Sequence, residues 1–438
     1  INEIYESVKE YIWQLERNKE KYLINPEKDF TRHRKISFSD CVMSLLCMSG
    51  GTLFSEVLEY FSDKTDLPSV SAYLQQRAKI KYSAFEQLFR STVNLSDENH
   101  LYHGYRLFAA DGSDIQIPSN PMDEDTYYPG SNGQKPYNLI HLNAIYDIIT
   151  NTYQDVLIQG SRHCAEHEAL NHMVDCSCVN KALIIADRGY ESYNVMAHIK
   201  EKGWKYLIRV KDIGGNGIVS RLDLPSSDEF DIDIDLNITR KNSKKMMQLF
   251  EDRNHYRYAP PNSKLDFLPS RSSYKEDAVF YRLPFRVVRF KITENQYETI
   301  VTNLDKYEFA PAELKRLYAM RWGIETSFRT LKYNIGVIYF HSWKKELVMQ
   351  EVFARLALFN ITASIAGEPL KHISKKNYSY KVNVAKVILI CRKLFLDRIS
   401  PHYAQRLIST SVVPIRNERS FKRKTKPRIA INFIYRIA

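Results

Sequence analysis

Apolar residues recur three and four positions apart through the first hundred residues, as in Val42, Leu45 and Leu46 and again in Leu53, Phe54, Val57 and Leu58. That period gives each of several short helices one apolar face. Gly50-Gly51 breaks two of them apart, and Pro68-Ser69 opens another with Ser69 placed to cap it. From about residue 104 the period shortens to that of strands. Residues 106–110 form an apolar run that ends on Asp111-Gly112. Residues 137–149 and 152–160 read as a hairpin around Thr150-Asn151, and 166–174 as a helix. The short apolar run 182–186 predicts a buried strand ending on Asp187-Arg188-Gly189; a helix over 192–202 and a strand over 204–210 follow.

Three antiparallel strands, a helix, a strand and a further α/β unit predict an α/β fold with a mixed sheet of ribonuclease-H type. Beyond residue 210 the pattern is interrupted. Gly214-Gly215, Pro225, Pro260-Pro261 and Pro269 punctuate short strands over 229–238 and 285–292, which predicts a mostly β insertion. Helices resume at Pro311 and continue through 322–366 and 380–396. The expected organisation is a helical domain over 1–98, whose basic clusters at 32–35 and 75–81 suit DNA binding, and a ribonuclease-H-like core over 99–210. A β-rich insertion over 211–303 follows, then the second part of the core over 304–370 and a helical C-terminal region with a basic tail over 371–438.

The 438 residues carry a formal net charge of +12, which favours a polyanionic partner. Arg32, His33, Arg34 and Lys35 form a basic knot, Gln75, Gln76, Arg77, Lys79 and Lys81 put amides and cations on one predicted helix, and residues 416–428 are rich in Arg and Lys. No apolar run approaches the roughly 20 residues of a membrane span. The segment 1–10 is polar and mixed in charge, unlike a secretory leader. The six cysteines are scattered, as suits reduced thiols in a cytosol. The expectation is a basic cytoplasmic protein with no membrane partner.

Asp111 and Asp187 each end an apolar run and each is followed closely by a glycine, Gly112 and Gly189. Alone, an Asp after a strand is most often a turn or cap residue. The helix predicted from Pro311 onward is more specific. At about 100° per residue, Tyr318, Arg321, Glu325 and Lys332 fall within a stripe about 60° wide. Leu317, Met320, Ile324, Phe328, Leu331 and Ile335 cluster on an adjoining face. An i, i+4 surface ion pair explains Arg321 with Glu325, but not the Tyr and the Lys two turns away on either side.

The spacing Tyr318-x2-Arg321-x3-Glu325-x6-Lys332 resembles the Y-R-E-K signature of bacterial insertion-sequence transposases with a DDE active site. Ile185-Ala186-Asp187-Arg188-Gly189-Tyr190 resembles the second acidic motif of that group, and Ala110-Asp111-Gly112-Ser113 the first. The resemblance implies Asp111, Asp187 and Glu325 as catalytic ligands of two Mg2+ or Mn2+ ions, with Asp114 the rival for the first acid. It implies that Tyr318, Arg321 and Lys332 contact DNA phosphates near the cut, with Arg188 and Trp322 as further DNA contacts. The partners it implies are double-stranded DNA (terminal inverted repeats and target) and a second copy of the chain in a homodimer, at a bacterial nucleoid. Members with a β insertion often cut through a DNA hairpin, an aromatic side chain holding an extruded base. The insertion here has no Trp; the four are Trp13, Trp204, Trp322 and Trp343, which leaves Trp322 as the aromatic nearest the acids.

Two other readings compete. His163, Cys164, Glu166, His167, Glu168, His172, Cys176 and Cys178 suggest zinc, and His-x-Glu beside thiols is reminiscent of zinc deaminases. The one-residue gap in Cys176-Ser177-Cys178 and the absence of a preceding Pro break the deaminase pattern. A transposase-derived DNA-binding protein without catalysis is the second alternative, although such decay usually removes an acid and all three are present.

Overall fold

The computed structural model describes residues 1–32, 34–63, 67–95, 100–130, 135–269, 277–294, 296–367 and 380–415. The chain opens with five helices: α1 (Asn2–Arg17), α2 (Phe38–Cys47), α3 (Leu53–Phe61), α4 (Val70–Arg77) and α5 (Ser83–Thr92). Side chains cap three of them. Ser37 and Asp40 form a reciprocal capping box on α2, and Thr52 and Ser69 cap α3 and α4.

Then come β1 (Arg106–Ile117), β2 (Tyr127–Tyr128), β3 (Tyr137–Asp147), β4 (Thr152–Gly160), α6 (Glu166–Cys176), β5 (Ala182–Ala186), α7 (Tyr193–Glu201) and β6 (Lys205–Val210). β1 pairs antiparallel with β3, and β3 antiparallel with β4. On its other side β1 pairs parallel with β5, and β5 parallel with β6. The resulting order β4-β3-β1-β5-β6 is the ribonuclease-H-like arrangement. Asp147 closes the β3–β4 hairpin, its Oδ1 accepting from the Ile149 and Thr150 amides at 2.9 Å, while Asn151 takes the left-handed conformation at φ 59°.

The insertion contributes β7 (Phe230–Thr239), α8 (Lys244–Leu249), β8 (Tyr256–Tyr258) and β9 (Tyr281–Thr293), followed by β10 (Gln296–Thr302). Its strands do not form a separate sheet. β10 pairs with β6, β9 with β10, β7 with β9 and β8 with β7, so that ten strands make one sheet among the described residues. The sequence pattern marks these strands but not their partners, because pairing depends on register between distant segments.

The remaining elements are α9 (Pro311–Met320), α10 (Trp322–Arg329), a π-helical turn (Thr330–Ile335), α11 (Lys345–Gly367), β11 (Tyr380–Val382), α12 (Val384–Phe395), α13 (Pro401–Thr410) and β12 (Val412–Pro414). Along β1 and β5, alternate side chains enter different cores, as strand geometry requires. Phe108, Ala110, Ile184 and Ala186 pack on the face covered by α6 and α7. Leu107, Leu183 and Ile185 pack with Leu314 and Leu317 of α9 on the other. The long α11 is buried nearly all round and carries α2, α5 and α12 against it.

Arg77 does not share a solvent face with the neighbouring cations. It is fully buried, donating to Gln350 Oε1 at 2.8 Å and Glu351 Oε1 at 2.9 Å on α11. α4 ends at Arg77, which leaves Lys79 and Lys81 beyond the helix. Arg32, Arg34, Lys28 and Lys79 instead line one polar pocket with Gln76; His33 and the tail 416–428 lie outside the described residues. No helix among the described residues is long and apolar enough to cross a membrane.

Candidate active site

Ala110 and Ala186 are register partners in the parallel pair β1–β5. The residues that follow, Asp111 and Asp187, therefore leave neighbouring strands at the same level. Both continue the alternation that points Leu107 and Ile185 toward α9, so both carboxylates face the side on which Arg321 and Glu325 lie. Asp111 ends the apolar run but not the strand: β1 continues to Ile117 because β3 pairs with it all the way, Asp111 opposite Ala144. Only β5 stops, and its departure opens the sheet at Asp111. Asp187, still extended, turns the chain by accepting from the Gly189 amide at 2.7 Å.

Arg321 joins the strand acid to the helix acid. Its Nη1 lies 3.3 Å from Asp111 Oδ2 and its Nη2 donates to Glu325 Oε1 at 2.6 Å. Asp111 also accepts from the Gly112 amide at 2.8 Å. Burial pushes the Asp111 carboxyl up to about 6; the Gly112 amide and Arg321 pull it down, and the charges of Asp187 and Glu325 raise it again. Three carboxylates thus share one field with one guanidinium between them.

The helix that carries Glu325 is not continuous. Arg321 stands at a tight joint between α9 and α10, with Arg321 N on Tyr318 O and Ile324 N on Arg321 O, each at 3.1 Å and three residues apart. Beyond Arg329 the turn widens to a π-helix. The four polar residues therefore do not share one exposed stripe. Tyr318 is buried at 6% exposure beside α9's apolar contacts, with the guanidinium carbons of Arg209 and Arg321 each 5.8 Å from its ring centre. Its hydroxyl and Arg321 Nε are buried without a hydrogen-bond partner among the described residues. Lys332, on the π turn, reaches back to β1 and donates to Ser113 Oγ at 2.8 Å. Trp322 is 53% exposed, with the Arg321 guanidinium 5.9 Å from its ring centre. It is therefore not buried against the insertion. Arg188 is exposed on the turn after Asp187.

One group escapes the sequence reading. Asp114 turns to His141, its register partner on β3, with Nδ1 and Oδ1 2.8 Å apart. His141 Nε2 lies 3.1 Å from Glu166 Oε1 on α6. Burial opposes a charge on His141, but the hydrogen bond to Asp114 and the Glu166 carboxylate beside the other ring nitrogen push its pKa up to about 9. The available signal was a lone His in the largely apolar stretch Leu139–Ala144. The zinc reading finds no support in the placement of its residues. Cys164 precedes α6 and Cys176 ends it, which at about 1.5 Å per residue separates them far beyond the span of one ion. Among the described residues no three His, Cys, Asp or Glu side chains are grouped so as to hold a metal ion, the three acids included.

Residues 102–361 match the family model of the transposase DDE domain. The chain belongs to the DDE transposase family. The matched span of this transposase begins just before β1 and ends within α11, so it contains all three acids and the insertion. No curated protein sequence matches the chain. Among solved structures, the chain is similar to the piggyBac transposase synaptic complex with hairpin DNA, seen by cryo-electron microscopy. The identity is 8% and the TM-score 0.43, over 90% of this chain and 81% of that one. DDE transposases generally use divalent metal ions. The oxygen-only donor set of Asp111, Asp187 and Glu325 fits a hard cation that keeps water and substrate oxygens in its shell, and the orphaned Nε of Arg321, whose guanidinium contacts Asp111 and Glu325, suits an anionic oxygen.

Proposed function

We propose that this transposase cleaves DNA at the ends of its own insertion element and joins the freed 3′-OH to target DNA. The observation that carries the reading is the parallel register Ala110–Ala186, which sets Asp111 and Asp187 side by side within the field of Glu325. These three residues would hold Mg2+ or Mn2+, two ions in the working complex. Bound there, the ions would activate the attacking oxygen and offset charge on the phosphate. Asp114 is the weaker choice for the first acid because His141 already engages it.

Arg321 spans Asp111 and Glu325 and, in this reading, gives part of that contact to a DNA phosphate. Lys332 and Arg188 supply further cations at the rim, and the buried Tyr318 supports Arg321 from beneath. Trp322 offers an exposed ring on which an extruded base could stack if the cut proceeds through a hairpin. The helical segment 1–98, with Arg32 and Arg34 around one polar pocket, would bind the duplex, and the inverted repeats would be paired by a homodimer. This assignment keeps the resemblance to the bacterial Y-R-E-K group.

The test is to incubate the full chain with Mg2+ and linear DNA bearing the element's ends, then map the cut strands on a denaturing gel. D111N, D187N and E325Q should each bring cleavage below detection while DNA binding persists. Hairpinned ends run as single strands of double length; nicks and joined products alone would remove the hairpin. Binding without any cut by the unaltered chain would leave a DNA-binding derivative instead.

A further inference from the structure

The end of β5 opens the sheet to both of its faces. Asp111 and Asp187 lie on the α9 side; Gly112 and Asp114 alternate to the α6 side, where Glu166 begins its helix. Two glycines keep the passage between the faces clear. A Cβ on Gly112 would collide with His141 Nε2 and lie 3.2 Å from Glu166 Oε1. A Cβ on Gly189 would lie 2.9 Å from Asp187 Oδ1 and 3.7 Å from Glu166 Oε2. The two carboxylates thus border the same glycine-lined gap. Glu166 Oε1 lies 3.1 Å from His141 Nε2, and Oε2 is the oxygen on the side of Gly189, two residues after Asp187. The buried Tyr190 hydroxyl, below the turn, feels Glu166, Asp111 and Asp187 together.

We propose that Glu166 is a fourth carboxylate of the catalytic centre, a ligand toward the divalent ion held by Asp111 and Asp187, and that His141 is its positioning residue. The inference rests on the DDE reading of Asp111 and Asp187. Asp114 fixes one nitrogen of the imidazole and Glu166 meets the other, so the ring sets how far the Glu166 carboxylate leans around the end of β5. Metal centres depend on such outer partners, whose loss typically weakens binding about 10- to 100-fold. Glu168, two residues on in the same helix and so turned away from Glu166, pairs with Lys264 and serves as the control.

The measurement is Mn2+ binding to the full chain without DNA, followed by electron paramagnetic resonance, with thermal melting to verify folding. D187N should weaken Mn2+ binding at least tenfold, E166Q about tenfold, and H141N several-fold, whereas E168Q should leave it unchanged. E166D, which keeps the charge but withdraws it by one methylene, should fall between E166Q and the unaltered chain; if E166Q does not fold, E166D carries the test. Weakening by D187N with E166Q or E166D at unaltered affinity overturns the proposal. Unaltered affinity in both D187N and E166Q overturns the metal-centre reading beneath it.

Discussion

Asp111 is held where its charge is costly, since burial and two neighbouring carboxylates push its pKa to about 6 from an ordinary 3.8. A carboxyl raised on folding favours the folded state at low pH, and that contribution is lost as pH rises through the folded value. Above pH 6 the folded chain therefore carries an ionised group it disfavours, by about 1–3 kcal/mol at about 1.4 kcal/mol per unit. D111N, of the same shape and uncharged, should melt higher than the unaltered chain at pH 8, with the difference shrinking toward pH 4. Mg2+ at millimolar concentration should narrow the gap at pH 8 by stabilising only the unaltered chain. A D111N protein that melts lower at pH 8 would mean that Arg321 outweighs the burial cost.

The joint at Arg321 and the π turn after Arg329 decide which side chains of the Glu-bearing helix are exposed. Trp322 stays half exposed, and little is lost by shortening an exposed ring. W322A should therefore leave the melting temperature within about 2 °C but weaken binding to pre-cut or mismatched ends, by about 1–3 kcal/mol if a base stacks there. Equal losses on intact duplex would assign Trp322 to ordinary backbone contact. The same region shows what the sequence could and could not convey. Asp187 was legible because a short buried strand, Ala182–Ala186, stops on it. Glu325 was legible because its spacing to Tyr318, Arg321 and Lys332 is local. The extension of β1 past Asp111 was not, since Gly112-Ser113-Asp114 has the composition of a turn and only pairing with β3 keeps it extended. The burial of Tyr318 was not legible, because a 100° wheel assumes one unbroken helix. His141 and Glu166 meet through register and a helix–sheet contact, neither of which a linear pattern encodes.

Across the whole molecule, the first five helices are anchored to α11 by buried charge. Arg77 and Glu351 pair at 0% and 1% side-chain exposure, and His341 Nδ1 lies 3.2 Å from the same carboxylate. Burial opposes the charge on Glu351, but Arg77, His341 and Arg355 hold its pKa well below the usual range. Its contribution is present above the unfolded value and lost as pH falls below it. E351Q strands Arg77, so it should cost about 3–5 kcal/mol at neutral pH, read as a lower urea midpoint, with a smaller difference at pH 4. An unchanged midpoint at neutral pH would make the pair dispensable. The ten-stranded sheet also fixes an order of events during synthesis. β6 waits for β10, and the pair Arg209–Glu298 spans 89 positions of chain. At 5–20 residues per second, β6 stands on the ribosome as an open edge for roughly 5–20 s. Arg321 and Glu325 emerge later still, 210 positions separating Arg321 from Asp111. The contact of Arg321 with Asp111 and Glu325 is therefore incomplete until about three quarters of the chain has left the ribosome, after the first five helices have had time to fold.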